Sequence, residues 1–107
     1  MAIYELRTYD IVVGKMGVVQ ELYASKGYPA LEKGGFSKNL VGYFVGDIGA
    51  LNQLVHLWKF EDPNDRAAFW KRVYGDKDFM AFAGELRPNV KSQQNKLLAN
   101  APWGPTP

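Results

Sequence analysis

A chain of 107 residues, 47% hydrophobic and 22% charged, is the size of one domain and holds enough apolar material for one core. Thirteen Lys and Arg against eleven Asp and Glu leave a net charge of +2, scattered without a basic stripe, so nucleic acid is not the expected partner. The lack of cysteine excludes disulfide frameworks and Cys-type zinc sites and points to a reducing, cytoplasmic setting.

The opening Met1-Ala2-Ile3-Tyr4-Glu5 does not have the basic-then-apolar form of a signal peptide, and no apolar run reaches the length of a membrane span. Ile3 to Ile11 reads as a strand, with Ile3, Glu5, Arg7, Tyr9 and Ile11 on one face and Tyr4, Leu6, Thr8 and Asp10 on the other. From Lys15 to Lys26 the spacing becomes helical, carried by Met16, Val19 and Tyr23. Gly27-Tyr28-Pro29 predicts a kink or a restart, with Pro29 opening a short second segment that Gly34-Gly35 stops.

Leu40 to Val45 is a second strand, apolar on both parities, which suggests that both of its faces are covered. A turn over Gly46-Asp47-Ile48-Gly49 leads to a third strand, Gln53 to Phe60, with Leu54, His56, Trp58 and Phe60 on one face. Asp62 is placed to cap the next helix, Pro63 to occupy its first position and Asp65 to add charge to its first turn. The expected buried residues of that helix are Ala67, Trp70 and Tyr74, flanked by Phe69 and Val73, with Gly75 ending it. Phe79, Phe82, Ala83 and Leu86 mark a further helix that Pro88 closes. Val90 to Leu98 reads as a polar edge strand, and residues 101–107 as an extended proline-rich tail on a domain of residues 1–100.

The order β-α-β-β-α-β defines an α+β, ferredoxin-like fold with an antiparallel sheet and helices on one face only. Apolar residues on the uncovered face call for another chain, and a homodimer is the expectation.

Four features carry the chemistry. His56 is the only histidine, which rules out multi-His metal sites; it reads as a general base or haem ligand in a pocket, or as a half-buried strand residue bonded to its neighbours. Glu5 and Arg7 share a strand face: Arg7 can bind a ligand carboxylate while Glu5 holds it, or the two form an ion pair. Tyr9, Tyr43, Trp58 and Trp70 can line a cavity for an aromatic ligand or fill a core. Arg66 reads as a partner for acidic groups near its helix start. Asp76 and Asp78 lack calcium-loop spacing, the glycine pairs are turns and not phosphate cradles, and no Gly-x-Ser-x-Gly is present.

Several ordered motifs resemble the NIPSNAP family. These are Ile3-Tyr4-Glu5-Leu6-Arg7-Thr8-Tyr9, the run from Ile48 to Phe60 with Arg66 after it, and Asp76-Lys77-Asp78-Phe79-Met80-Ala81-Phe82. Phe79 stands where many members have tryptophan. The resemblance implies a dimeric α-β barrel, an architecture shared with cofactor-free monooxygenases, haem-degrading enzymes and isomerases. It implies no settled chemistry; the residues, with no cysteine and one histidine, call for no cofactor. The residues themselves support a homodimer binding a small hydrophobic or aromatic molecule between sheet and helices, with Glu5, Arg7, Tyr9, His56 and Trp58 as the binding set. The alternatives are a cofactor-independent monooxygenase or isomerase, with His56 as the candidate catalytic group, and a non-enzymatic interaction module.

Overall fold

Along Gln53–Phe60 every second side chain is buried, as in a strand that lays one face on a core. That strand sits inside a four-stranded sheet. The computed structural model describes residues 2–107. Its elements are β1 (Ile3–Ile11), α1 (Met16–Leu22), α2 (Tyr28–Lys33), β2 (Leu40–Val45), β3 (Gln53–Phe60), α3 (Pro63–Tyr74), α4 (Lys77–Leu86) and β4 (Val90–Ala99). The strands lie in the order β2-β3-β1-β4 and every neighbouring pair is antiparallel, the ferredoxin-like arrangement expected from the element order.

Register brings the chemistry-bearing residues together on one face. Arg7 pairs with His56 and His56 with Tyr43; two rungs along, on the same face, Glu5 pairs with Trp58 and Trp58 with Leu40. These residues all face the helices. There Trp58, Phe60, Phe69, Trp70 and Leu31 form one core cluster, and Ile11, Val19, Leu54, Phe82 and Leu86 form another.

The expected break at Gly27-Tyr28-Pro29 takes a different form. The backbone stays in the right-handed helical region through Leu22, Tyr23, Gly27 and Tyr28, and Tyr23–Gly27 forms a π turn between α1 and α2. A proline ring crowds the carbonyl four residues earlier, here that of Ser25, and a widened turn relieves the crowding without ending the helix. Gly27 is needed for a second reason. A Cβ at this position would lie 2.6 Å from Cζ of Phe82, whose ring is buried. Gly35, at φ 77°, supplies the left-handed residue that ends α2.

Helix α3 begins as expected: the Asp62 side chain accepts from the Asp65 N–H at 2.7 Å, and Pro63 takes the first position. Its buried stripe differs from the expected one. Phe69, Trp70 and Val73 are buried, whereas Ala67 and Tyr74 are exposed. Arg66, Trp70 and Val73 fall at i, i+4 and i+7, so one residue of phase, about 100°, separates the expected face from the observed one. The cause is Arg66, which turns inward to reach a buried carboxylate.

Strand β2 is also less covered than its composition suggested, since Val41, Phe44 and Val45 are exposed and the ladder to β3 is irregular near Gly42. Strand β4 is the expected edge, exposed along almost its whole length. On the sheet face away from the helices, Leu6, Val55 and Leu57 are half-buried and Phe44 is 55% exposed. Residues 101–107 form no helix or strand, and the Tyr4 hydroxyl on this face donates to the carbonyl of Pro107 at 2.8 Å.

Two glycine substitutions should move stability in opposite directions. Gly27→Ala, which forces a methyl group against the Phe82 ring, is expected to cost about 1–3 kcal/mol despite its better helix propensity. Gly84→Ala in α4, where a Cβ meets nothing within 4 Å, is expected to gain roughly 0.5–1 kcal/mol. Urea midpoints of the two variants check both.

Candidate functional site

The rung Tyr43–His56–Arg7 forms one wall of a cavity of about 330 Å³ between the sheet and the helices. That is the room of about eleven water molecules, within the range of small-ligand sites. Rings make most of the lining: Tyr9 and Trp58 from the sheet, Tyr23 from the π turn, Trp70 and Tyr74 from α3 and Phe79 from α4.

Glu5 sits behind this wall and is not a lining residue. Its carboxylate is fully buried and carries three charge-assisted or ring N–H bonds. Oε1 accepts from Arg66 Nε at 2.6 Å and from Trp70 Nε1 at 2.7 Å, and Oε2 accepts from Arg66 Nη2 at 3.2 Å. Arg66 is therefore the main counter-ion of Glu5, and Arg7 Nε stands 3.9 Å from Oε2, an ion-pair distance too long for a hydrogen bond. The expected bond of Arg66 to an acidic group is made across the fold, to β1.

Arg7 is 3% exposed. Its guanidinium lies 4.2 Å from the centre of the Trp70 ring and 5.9 Å from that of Tyr9, and Nη2 donates to the Tyr74 hydroxyl at 3.1 Å. Cation–π contact recovers part of the cost of taking this charge out of water. Nε is buried with no hydrogen-bond partner.

His56 is 2% exposed, stacked on Tyr43 at 4.7 Å and edge-to-face with Tyr9 at 4.9 Å. Trp58 Nε1 donates to His56 Nδ1 at 2.7 Å. An indole N–H only donates, so Nδ1 accepts and carries no proton, and the neutral ring bears its proton on Nε2. Burial, with a smaller contribution from Arg7, pushes the imidazole down to about 3. Nε2 is buried and unpartnered. The ring therefore presents a neutral N–H and no free lone pair, which suits hydrogen-bond donation better than general-base work.

Burial likewise raises the hydroxyls of Tyr9, Tyr23 and Tyr43, Tyr23 well above its ordinary range, and keeps them protonated. Among the described residues no three His, Asp or Glu side chains gather to hold a metal ion.

Of the residues singled out in the sequence, Arg7, Tyr9, Tyr43, His56, Trp58 and Trp70 come together at the cavity. Tyr23 and Tyr74 line it as well and were missed: the π turn sets the first, and the shifted phase of α3 sets the second. A ferredoxin-like domain with a ring-lined, cationic cavity under its helices defines the class. The NIPSNAP family model matches residues 4–105, and the chain belongs to the NIPSNAP family. A NIPSNAP family protein from Agrobacterium tumefaciens superposes with a TM-score of 0.90 at 32% identity over 98% of each chain. A NIPSNAP domain protein from Burkholderia xenovorans gives 0.86 at 28% identity, covering 97% of this chain and 99% of its own. The human protein NipSnap homolog 3A is 31% identical over 103 residues, which are 96% of this chain; the chain spans 41% of that relative's length.

The buried imidazole predicts a pH dependence. Because its native value is depressed, the unfolded chain takes up a proton first as pH falls, so the stability present above the unfolded value near 6.5 declines toward about 3. Between pH 7 and pH 5, above the titration of most carboxylates, His56 should remove about 2 kcal/mol of unfolding free energy. Urea denaturation at both pH values should show this loss in the wild type and a much smaller one in His56→Gln.

Proposed function

We propose that this domain binds a small hydrophobic or aromatic molecule in the cavity between sheet and helices, and that it does so as a cytoplasmic homodimer. The observation that carries the reading is the pair of buried, unpartnered N–H groups, Arg7 Nε and His56 Nε2, on side chains that line a cavity walled mostly by rings. Buried polar atoms are normally satisfied, and two such exceptions side by side ask for a partner that is not protein. Arg7, Tyr9, His56 and Trp58 are the contacting residues in this reading. Glu5 is a positioning residue that fixes Trp70 beneath Arg7.

The wall offers no protein base. No carboxylate lines it, its imidazole is a neutral donor and its buried phenols are protonated. Binding, rather than acid–base catalysis by the protein, is what these groups serve. The dimer follows from the uncovered sheet face, where Leu6, Val55, Leu57 and Phe44 form an apolar centre that a second copy would bury. The lack of cysteine fits a reducing compartment, and no helix among the described residues is long and apolar enough to cross a membrane.

Native mass spectrometry of freshly purified protein tests both parts. The expected species is about twice the 12.0 kDa chain mass and carries a small-molecule adduct that mild activation removes. A monomer at all concentrations would end the dimer proposal. For the cavity, a thermal-shift screen of neutral and charged aromatics should find compounds that raise Tm by several degrees, and less in His56→Ala. If nothing in a broad screen shifts the wild type, the cavity is not a ligand site.

A further inference from the structure

The charge at the cavity does not balance. Two guanidinium groups, Arg7 and Arg66, surround one carboxylate, Glu5. The carboxylate spends its short contacts on Arg66 and on the Trp70 indole, leaving Arg7 Nε 3.9 Å away. Tyr74 supplies a neutral acceptor to Arg7 Nη2, and Trp70 supplies a π face. Neither neutralises a charge, so about one positive charge remains buried at the wall.

Beside it, Arg7 and His56 are directly opposite one another on neighbouring strands and on the same face, which puts their Cβ atoms roughly 5 Å apart. The deep unpartnered atoms there are both donors. His56 cannot reverse its polarity, because Trp58 holds its other nitrogen as an acceptor. Both unpartnered groups call for an acceptor, and the net charge asks for that acceptor to be an anion. Most of the remaining wall is flat rings whose faces suit a flat, apolar body; Ala83, Leu86 and Val90 add aliphatic surface, and Arg87, Ser92 and Gln93 add polar groups, none of them a carboxylate.

We propose that the ligand of this cavity is an aromatic or conjugated monoanion, a carboxylate or an equivalent anionic oxygen on a planar apolar body, held jointly by Arg7 and the Nε2–H of His56. The proposal rests on the reading of the cavity as a ligand site and narrows it to one charge class. Neutral hydrocarbons leave both donors unsatisfied, and cations meet a like charge without a counter-ion.

A shape-matched set of probes tests this: 2-naphthoate, 2-naphthamide and 2-naphthylmethylammonium, titrated calorimetrically into the full chain at one ionic strength. The carboxylate should bind about tenfold or more tightly than the amide, and the ammonium should not bind. Arg7→Gln should lower the carboxylate's affinity much more than the amide's, so that the difference between the two largely disappears. Because Arg7 is buried, His56→Phe serves as a second variant, keeping the ring and removing the donor, and should lower carboxylate affinity by several-fold. An amide or ammonium that binds the wild type as well as the carboxylate does would overturn the anion assignment and leave the cavity a ligand site. A carboxylate preference that survives Arg7→Gln unchanged would remove Arg7 from the assignment. Failure of all three probes to bind would overturn both this proposal and the reading beneath it.

Discussion

A carboxylate buried at the centre of a sheet dictates much of this structure. Glu5 lies in the middle of β1, has no solvent contact, and is held by Arg66 and Trp70 from a helix more than sixty residues away. Leaving a buried charge unpaired costs roughly 3–5 kcal/mol, so alternatives that draw α3 away from β1 are heavily penalised. The pairing specifies more than it stabilises. With Arg66 reaching both oxygens of Glu5 and Trp70 sharing Oε1, α3 can take only one rotation about its axis. That rotation lays the Trp70 ring against Arg7, brings the Tyr74 hydroxyl to the same guanidinium, and so shapes one side of the cavity.

The fold was legible because period-2 alternation is strong in β1 and β3 and because capping residues mark α3. The co-location of Arg7 and His56 was half legible: each strand showed which residues share a face, but only the register shows that these two stand opposite each other. The phase of α3 was misread for a definite reason. Counting apolar residues alone selects Ala67 and Tyr74, whereas the inward stripe is led by a charged residue, Arg66, whose partner is remote in sequence. Tyr23 is on the inward face that its spacing with Met16 and Val19 indicates, but helical periodicity does not distinguish a ring that fills a core from one that lines a cavity. The role of Glu5 was read as support for Arg7; in the structure its hydrogen bonds go to Arg66 and Trp70.

The two faces of the sheet divide their labour by parity. Odd-numbered positions of β1 hold the ion pair and the cavity wall, and even-numbered positions hold Leu6 and Thr8 on the open side. The open face is apolar at its centre and polar toward one end, where Gln53 and Ser92 both donate to Asp10 across three strands, at 3.0 and 2.7 Å. These bonds hold the Asp10 carboxyl below its usual range. A one-residue slip of β1 would exchange the two faces, placing Asp10 and Thr8 under the helices and Glu5 in the open, so register is under pressure from both sides.

The contact between Trp58 and His56 gives the molecule an optical and magnetic handle on its own interior. The chain has three tryptophans. Trp103 lies in the exposed tail, while Trp58 and Trp70 have their indole N–H groups engaged by an imidazole nitrogen and a carboxylate at the cavity wall. Any change in electron density on the imidazole is transmitted through a 2.7 Å hydrogen bond to the Trp58 indole proton. A molecule that bonded to the imidazole from the cavity would thereby change the emission of the protein and a downfield proton resonance, without an added label.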